Sequence, residues 1–162
     1  MLERFVKEAR GVATGAEDEA RTRGSSTVEA EHVLLALARD TGGLAGEVLA
    51  RAGLDHPAIL GALQSDFERS LDAVGVSVEA ISGPVVPFAG RLRWGASAKS
   101  SLERALETAR ARRDRRIESS HILLALLRAQ EGTVPRALRG AGVEPATLAA
   151  QTHAAMDHAS VS

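Results

Sequence analysis

Apolar residues recur at intervals of three and four along most of the chain, and this period predicts amphipathic helices. The first predicted helix runs from about Leu2 to Arg21, with apolar residues on one face at Phe5, Ala9, Val12, Ala13 and Ala16. Polar, glycine-containing segments separate it from further predicted helices at about 30–40, 44–52, 56–74, 96–113, 119–129, 134–141 and 145–158. The pattern therefore predicts an all-α protein.

Two of these helix starts carry capping signals. Ser26 and Glu29 have the spacing of a capping box, in which each side chain bonds the backbone N–H of the other residue. Asp55 can cap the fourth helix, and Pro57 suits its first turn. We expect these signals to mark the starts of the second and fourth helices.

The chain contains an internal sequence repeat. The segments VEAEHVLLALAR (28–39) and IESSHILLALLR (117–128) align at an offset of 89 residues. The same offset places Phe5 opposite Trp94, and the alignment needs no gap from position 4 to position 59. A duplicated unit of this kind buries its apolar face against its own copy.

The repeat sets the expected architecture. We predict a single domain over 1–162, a pseudo-two-fold duplication of a four-helix repeat with about eight helices. The first repeat spans 1–74 and the second spans 95–158. The connector, 75–94, contains two prolines and several glycines, and we predict that it is not helical.

Composition narrows the class of protein. The chain has no cysteine, which excludes disulfides, thiolate catalysis and zinc–sulfur sites. Its formal net charge of −1 argues against binding of nucleic acid by bulk electrostatics. No apolar run approaches the roughly 18 residues of a membrane span, and the charged N-terminus lacks the apolar core of a secretory signal. We expect a cytoplasmic, monomeric protein that does not contact membranes and has no cofactor.

Two histidines occupy the same place in each repeat, at the start of a leucine-rich helix. No carboxylate cluster joins His32 to His121, so a structural role for both is favoured over a metal or catalytic pair. His153 and His158 are five residues apart, which is poor spacing for sharing a helical face. No metal site and no catalytic residue is predicted.

Several motifs together resemble a known family. They are the opening MLERFVKEAR (1–10), the pattern [IV]-E-x-x-H-[VI]-L-L-A-L in each repeat, the G-x-x-x-x-x-L-x-x-A-G that follows it, and LRWGASAKSSLERALETA (92–109). Over nearly its whole length the chain resembles the N-terminal Clp repeat domain of the Clp/Hsp100 unfoldases, ClpC in particular. In that family the domain receives clients and adaptors and passes them to AAA+ rings bound to a protease.

The resemblance implies a non-enzymatic protein-recognition module. GASAKSS (95–101) lacks the second glycine of a P-loop, so no nucleotide site is predicted. We expect a stand-alone protein without an AAA+ motor, because the polar tail (153–162) looks like a natural end. Such a module would deliver clients to a Clp ATPase–protease or compete with it for ligands, and the sequence leaves both open.

The resemblance also implies a phosphoarginine site. In ClpC-type domains the glutamate of the Glu-His pair helps to hold the guanidinium of phosphorylated arginine, a degradation mark. The first repeat keeps this pair as Glu31-His32, whereas the second has Ser120-His121 and lacks the carboxylate. The alternative is that Glu31 only favours the helix dipole as a first-turn acid.

A second implied surface lies on the first helices of the two repeats, where adaptors and cyclic-peptide antibiotics dock in the family. The matching residues here are Met1, Leu2, Phe5, Ala13, Glu17, Trp94, Lys99, Leu102 and Glu103. Tryptophan is a frequent interface anchor, which supports such a surface at Trp94. The alternative is that Phe5 and Trp94 are equivalent core residues of the two repeats.

Two other functions stay open at this point. The basic run from Arg110 to Arg116 contains one acid and could contact nucleic acid or an acidic partner. A solvated helix end is the simpler interpretation, because no aromatic residue is interleaved with the arginines. A hydrolase would need a nucleophile, a base and an orienting group, and only Ser120 and His121 are neighbours in sequence.

Overall fold

The computed structural model describes residues 7–81 and 83–161. The first repeat contains α1 (Lys7–Thr22), β1 (Thr27–Val28), α2 (Ala30–Arg39), α3 (Leu44–Arg51) and α4 (His56–Ala73). A short helix, α5 (Val78–Ile81), and strand β2 (Arg93–Trp94) lie between the repeats. The second repeat contains α6 (Ala96–Arg112), α7 (Ser119–Leu127), α8 (Thr133–Gly140) and α9 (Pro145–Val161). The all-α prediction, with four helices in each repeat, is confirmed.

The two repeats form one core through equivalent contacts. α1 packs on α2, α6 packs on α7, and α2 and α7 also meet each other. The leucine-rich helices supply the largest fully buried side chains, among them Leu34, Leu35, Leu37, Ile122, Leu123 and Leu124. Three buried alanines of α1 align at the repeat offset with three of α6, namely Ala9, Ala16 and Ala20 with Ala98, Ala105 and Ala109. These small side chains let each first helix approach the leucine-rich helix of its repeat closely.

Hydrogen bonds cross the junction in both directions. Glu8 of α1 accepts hydrogen bonds from the backbone N–H of Ser119, at 3.3 Å, and from the hydroxyl of the same serine. In the other direction, Ser97 of α6 accepts from the N–H of Ala30 at 2.8 Å and donates to Glu29. The first helix of each repeat therefore holds the start of the second helix of the other repeat.

The start of α2 differs from its sequence-based prediction. Ser26 does not cap this helix, because the helix begins at Ala30 and Glu29 occupies the N-cap position. The partner of Glu29 is His32, whose ring Nδ1 accepts the Glu29 N–H at 2.9 Å. The prediction for α4 is confirmed, since Asp55 accepts the N–H of Ala58 at 2.9 Å. A histidine thus takes the place that the capping-box pattern gives to glutamate.

The connector also departs from its prediction. It contains the helix α5, whereas its proline and glycine content predicted no helix. Its end forms a parallel ladder with the first repeat, in which Thr27 pairs with Arg93. Upstream, the Arg21 guanidinium donates to the carbonyl of Gly90 at 2.7 Å, and Gly24 adopts a φ of +74°. A Cβ at Gly24 would lie 2.7 Å from the Val86 carbonyl oxygen, so the connector lies against a position that only glycine fits.

The long helix α4 is only partly covered. Its apolar stripe includes Leu60 and Leu63, which pack against the core. Further along, Phe67 is 49% exposed and Val74, just after the helix, is 73% exposed. The part of α4 up to the buried Asp66 therefore packs on the rest of the fold, whereas residues 67–73 are exposed or half-buried.

A buried carboxylate joins three helices of the first repeat. Glu19 of α1 lies 2.7 Å from Nε2 of His56 and 3.0 Å from Nε of Arg39, while Arg23 bonds its other oxygen at 3.0 Å. Burial by itself would raise the pKa of Glu19. The hydrogen bonds from His56 and Arg23 outweigh it, so the pKa is lowered.

Candidate ligand-binding surfaces

One candidate site is a groove at the repeat junction. It has a volume of about 490 Å³ and is bounded by the starts of α2, α6 and α8 and by the end of α7. We call it the junction groove. Its charged lining residues are Glu29, Glu31, Glu131 and Arg104, and its hydroxyl-bearing lining residues are Ser97, Ser100, Ser101 and Thr133.

Glu31 lies in the first turn of α2 and is half-buried. Burial raises the pKa of Glu31, and the neighbouring charge of Glu29 raises it further. A hydrogen bond from its own backbone N–H and the charge of Arg136 oppose the rise without reversing it. Arg136 itself is paired with the buried Asp66, at 3.2 Å. Among the described residues Glu31 has no ion-pair partner, so its carboxylate is desolvated without a compensating cation.

Other lining groups of the junction groove can receive an anion. Arg104 of α6 is half-buried and, within the described part of the chain, has no ion pair. The start of α8 at Thr133 and Val134 also lines the groove, where the first N–H groups of a helix have no intrahelical acceptor. A carboxylate and positive groups that line one groove suit a ligand that carries both a cation and an anion. Glu31 was predicted from the sequence and Arg104 was not, although Ser97, Ser100 and Arg104 share one helical face.

The pseudo-symmetric counterpart of the junction groove does not have the same arrangement. This counterpart, of about 570 Å³, is lined by α1 residues such as Lys7 and Glu8 and by the end of α2 around Asp40, which the repeat offset relates to residues of α6 and α7. Ser120, at the position equivalent to Glu31, is fully buried and does not line it. Its hydroxyl has no hydrogen-bond partner among the described residues. The two halves therefore differ in the carboxylate and in the burial of the residue that replaces it.

The two histidines bond the starts of the leucine-rich helices. In each repeat the ring Nδ1 accepts a backbone N–H at 2.9 Å, that of Glu29 for His32 and that of Glu118 for His121. Nε2 must then carry the proton of the neutral ring. In His121 it lies 2.8 Å from Asp114, whereas burial, with a smaller effect from Arg23, lowers the pKa of His32.

The implied adaptor surface is described only in part, since Met1, Leu2 and Phe5 lie outside the described residues. Trp94 is half-buried and donates its ring N–H to Glu17 at 3.3 Å, which ties β2 to α1. Other predicted members are half-buried, Ala13 and Leu102, or exposed, Lys99 and Glu103. Trp94 also packs partly against the core, so the structure gives it both a packing contact and an accessible edge.

Other chemistries are less well supported by the geometry. Among the described residues, no group of three or more histidine, cysteine or acidic side chains is placed to hold a metal ion. Nor does any helix in the described ranges have the length and apolar character needed to cross a membrane. Ser120 and His121 do not form a nucleophile–base pair in the described structure, because the serine hydroxyl is unpaired and the His121 ring bonds Glu118 and Asp114.

Comparison with known proteins agrees with this architecture. The family model described as the Clp repeat (R) N-terminal domain matches residues 4–82 and 94–162. The chain is 33% identical over 151 residues to chaperone protein ClpC1 of Arabidopsis thaliana, covering 93% of this chain and 15% of that protein. It is 28% identical over 143 residues to the negative regulator of genetic competence ClpC/MecB of Bacillus subtilis, covering 88% of this chain and 16% of that protein. The chain thus spans about one sixth of the length of these relatives.

Solved structures show the same fold. The N-terminal domain of the chaperone ClpD from Arabidopsis thaliana matches with a TM-score of 0.69 at 20% identity, over 97% of each chain. The Hsp104 N-terminal domain from Candida albicans matches with a TM-score of 0.63 at 22% identity, over 91% of this chain and 88% of that one. From the family match and the duplicated helical repeat, we conclude that this chain belongs to the Clp repeat (R) N-terminal domain family, related to the substrate- and adaptor-binding domains of Clp/Hsp100 chaperones.

Proposed function

We propose that the chain is a non-enzymatic recognition module that binds one phosphoarginine-marked segment in the junction groove. The observation that carries the proposal is the half-buried Glu31 carboxylate, which has no ion-pair partner among the described residues and lines the same groove as Arg104. A carboxylate can hold a guanidinium through two parallel hydrogen bonds. The N–H groups at the start of α8, together with Arg104, supply donors for the phosphate.

The proposal predicts one site per chain. Glu31 has no counterpart in the second repeat, where Ser120 is buried and carries no charge. A serine in that place cannot neutralise a guanidinium, and burying an uncompensated guanidinium there would be costly. Binding should therefore follow a one-site isotherm.

Isothermal titration with free phosphoarginine tests this proposal, with arginine and phosphoserine as reference ligands. Glu31→Gln should weaken binding by about tenfold to a hundredfold, because a charge-assisted pair contributes about 1.5–3 kcal/mol. Arg104→Ala should weaken phosphoarginine but leave the weak binding of arginine unchanged. Glu103→Gln is the matched control, because Glu103 is exposed and does not line the groove. Equal binding of phosphoarginine by wild type and Glu31→Gln would reject the proposal.

The surface around Trp94 is the second part of the proposal. We infer that it receives adaptor or peptide segments, and cyclic-peptide antibiotics of the kind that bind related domains. Its support is a half-buried tryptophan beside the exposed cations Arg91, Arg93 and Lys99. Quenching or a spectral shift of the chain's single tryptophan on addition of a ligand would report binding there. The proposal also includes a cytoplasmic location and a monomeric state, and it leaves delivery and competition as alternatives.

A further inference from the structure

A third surface lies on the second repeat, where α6 ends and α7 begins. Five arginines fall between Arg110 and Arg116, with Asp114 as the only acid. Here a concavity of about 400 Å³ is lined by the loop between α6 and α7, by α9 and by the start of α3. We call it the basic concavity. The proposed function makes no use of it.

The arginines of the basic concavity differ in what they contact. Arg112 bonds Asp114 at 3.1 Å, Asp157 at 2.8 Å and Nδ1 of His153 at 3.0 Å, so it ties α6 to α9. Burial by itself would raise the pKa of Asp114, but hydrogen bonds from His121 and Arg112 outweigh it and lower the pKa. Asp114 is therefore charged, and its bonding partners are Arg112 and His121. Arg115 and Arg116 are not bonded to it.

Arg115 and Arg116 also line the basic concavity. Both are exposed, and neither forms an ion pair with a carboxylate in the described ranges. Leu44 and the buried Met156 are apolar residues that line the same concavity. Guanidinium groups without a carboxylate partner, in one concavity with apolar side chains, fit a ligand that places a carboxylate beside an apolar side chain.

The loop between α6 and α7 begins at a residue with a positive φ. Arg113 ends α6 with a φ of +63°, in the left-handed region that disfavours residues with a Cβ. The position equivalent to it in the first repeat is Gly24, with a φ of +74°. The second repeat thus has an arginine at a left-handed position where the first repeat has glycine, the residue that this conformation favours.

We propose that the basic concavity docks an acidic amphipathic peptide segment of a partner protein. The segment would set acidic side chains against Arg115 and Arg116 and an apolar side chain on Met156. Nucleic acid fits less well, because among the described residues no aromatic side chain lines the concavity for base stacking. The basic concavity shares no lining residue with the junction groove. The proposal therefore does not depend on the binding of phosphoarginine.

Fluorescence anisotropy with a short fluorescein-labelled peptide of alternating glutamate and leucine tests the proposal. The reference probes are the same peptide with serine in place of leucine, and a single-stranded oligothymidylate of similar length. The double variant Arg115→Glu/Arg116→Glu should weaken the glutamate–leucine peptide at least about tenfold. The control Arg10→Glu/Arg51→Glu makes the same change in net charge at exposed arginines elsewhere and should change binding by less than about twofold.

Two further readouts separate docking from general charge attraction. The serine-containing peptide should bind several-fold more weakly than the leucine-containing one, and NMR shifts should include Leu44 and Met156. Equal binding of the two peptides, equal losses in the two double variants, or no binding at millimolar peptide would each overturn the proposal. Tighter binding of the oligothymidylate would overturn it in favour of a nucleic-acid surface.

Discussion

The same substitution at two consecutive positions should change stability in opposite directions. Ser120→Ala removes a fully buried hydroxyl with no hydrogen-bond partner among the described residues. An unsatisfied buried polar group costs about 1–3 kcal/mol, and the space left behind costs only a few tenths, at about 24 cal/mol per Å³. We expect Ser120→Ala to raise the free energy of unfolding by about 1 kcal/mol.

Ser119→Ala should have the opposite effect. The Ser119 hydroxyl is buried and donates to the carboxylate of Glu8 across the repeat junction. Losing a hydrogen bond to a charged group costs about 1.5–3 kcal/mol, and the better helix propensity of alanine returns about 0.5 kcal/mol. We expect Ser119→Ala to lower the free energy of unfolding by about 1–2 kcal/mol.

Urea unfolding followed by circular dichroism measures both variants against the wild type. The two should lie about 2–3 kcal/mol apart with unchanged m-values, and a thermal scan should separate their Tm values by about 5–10 °C. Glu8→Gln should lower stability in the same direction as Ser119→Ala, and combining the two should cost less than the sum of the single changes. If both serine variants are destabilised equally, the Ser120 hydroxyl has a partner and the account of the second repeat is wrong.

Three further predictions concern stability. Glu19→Gln should lower the free energy of unfolding at neutral pH by about 2–4 kcal/mol. Because the pKa of Glu19 is lowered on folding, its stabilisation is present above the ordinary pKa of glutamic acid and is lost as pH falls through the lowered value. The gap between Glu19→Gln and wild type should therefore close on acidification in urea unfolding, and a constant gap would contradict this. His121→Ala should destabilise more than His32→Ala, by about 1–2 kcal/mol, since only the first loses a bond to Asp114; equal losses in urea unfolding would count against it. Arg113→Gly should stabilise the fold by about 0.5–1 kcal/mol by relieving its positive φ, and a lower Tm would show that no such cost exists.

The repeat made much of the fold predictable. The offset that aligns the two leucine-rich segments also aligns the alanines of α1 with those of α6, so one packing solution is used twice. Helix existence and type followed from the three- and four-residue period, because burial of one face selects that period. The end of α9 at Val161 lies beyond the predicted His158, since no glycine or proline in the sequence marks that end.

Other features depended on contacts between distant residues. The capping role of His32 was not predicted, because the capping-box pattern specifies glutamate or glutamine in that place. The ladder between β1 and β2 spans only two residues on each strand, too short for a strand pattern to be recognised. Arg104 joins the junction groove only because α6 lies beside α2 and α8, which no local pattern encodes.

The central claim is that the chain binds phosphoarginine at one site, and that binding depends on Glu31. A two-dimensional NMR titration with phosphoarginine tests it most directly, with arginine and phosphoserine as controls. We predict saturable shifts at Glu31, Arg104 and Thr133, a one-to-one isotherm, and loss of these shifts in Glu31→Gln. Shifts that persist in Glu31→Gln, or no shifts at millimolar phosphoarginine, would contradict the claim and leave the Trp94 surface as the recognition site to test next.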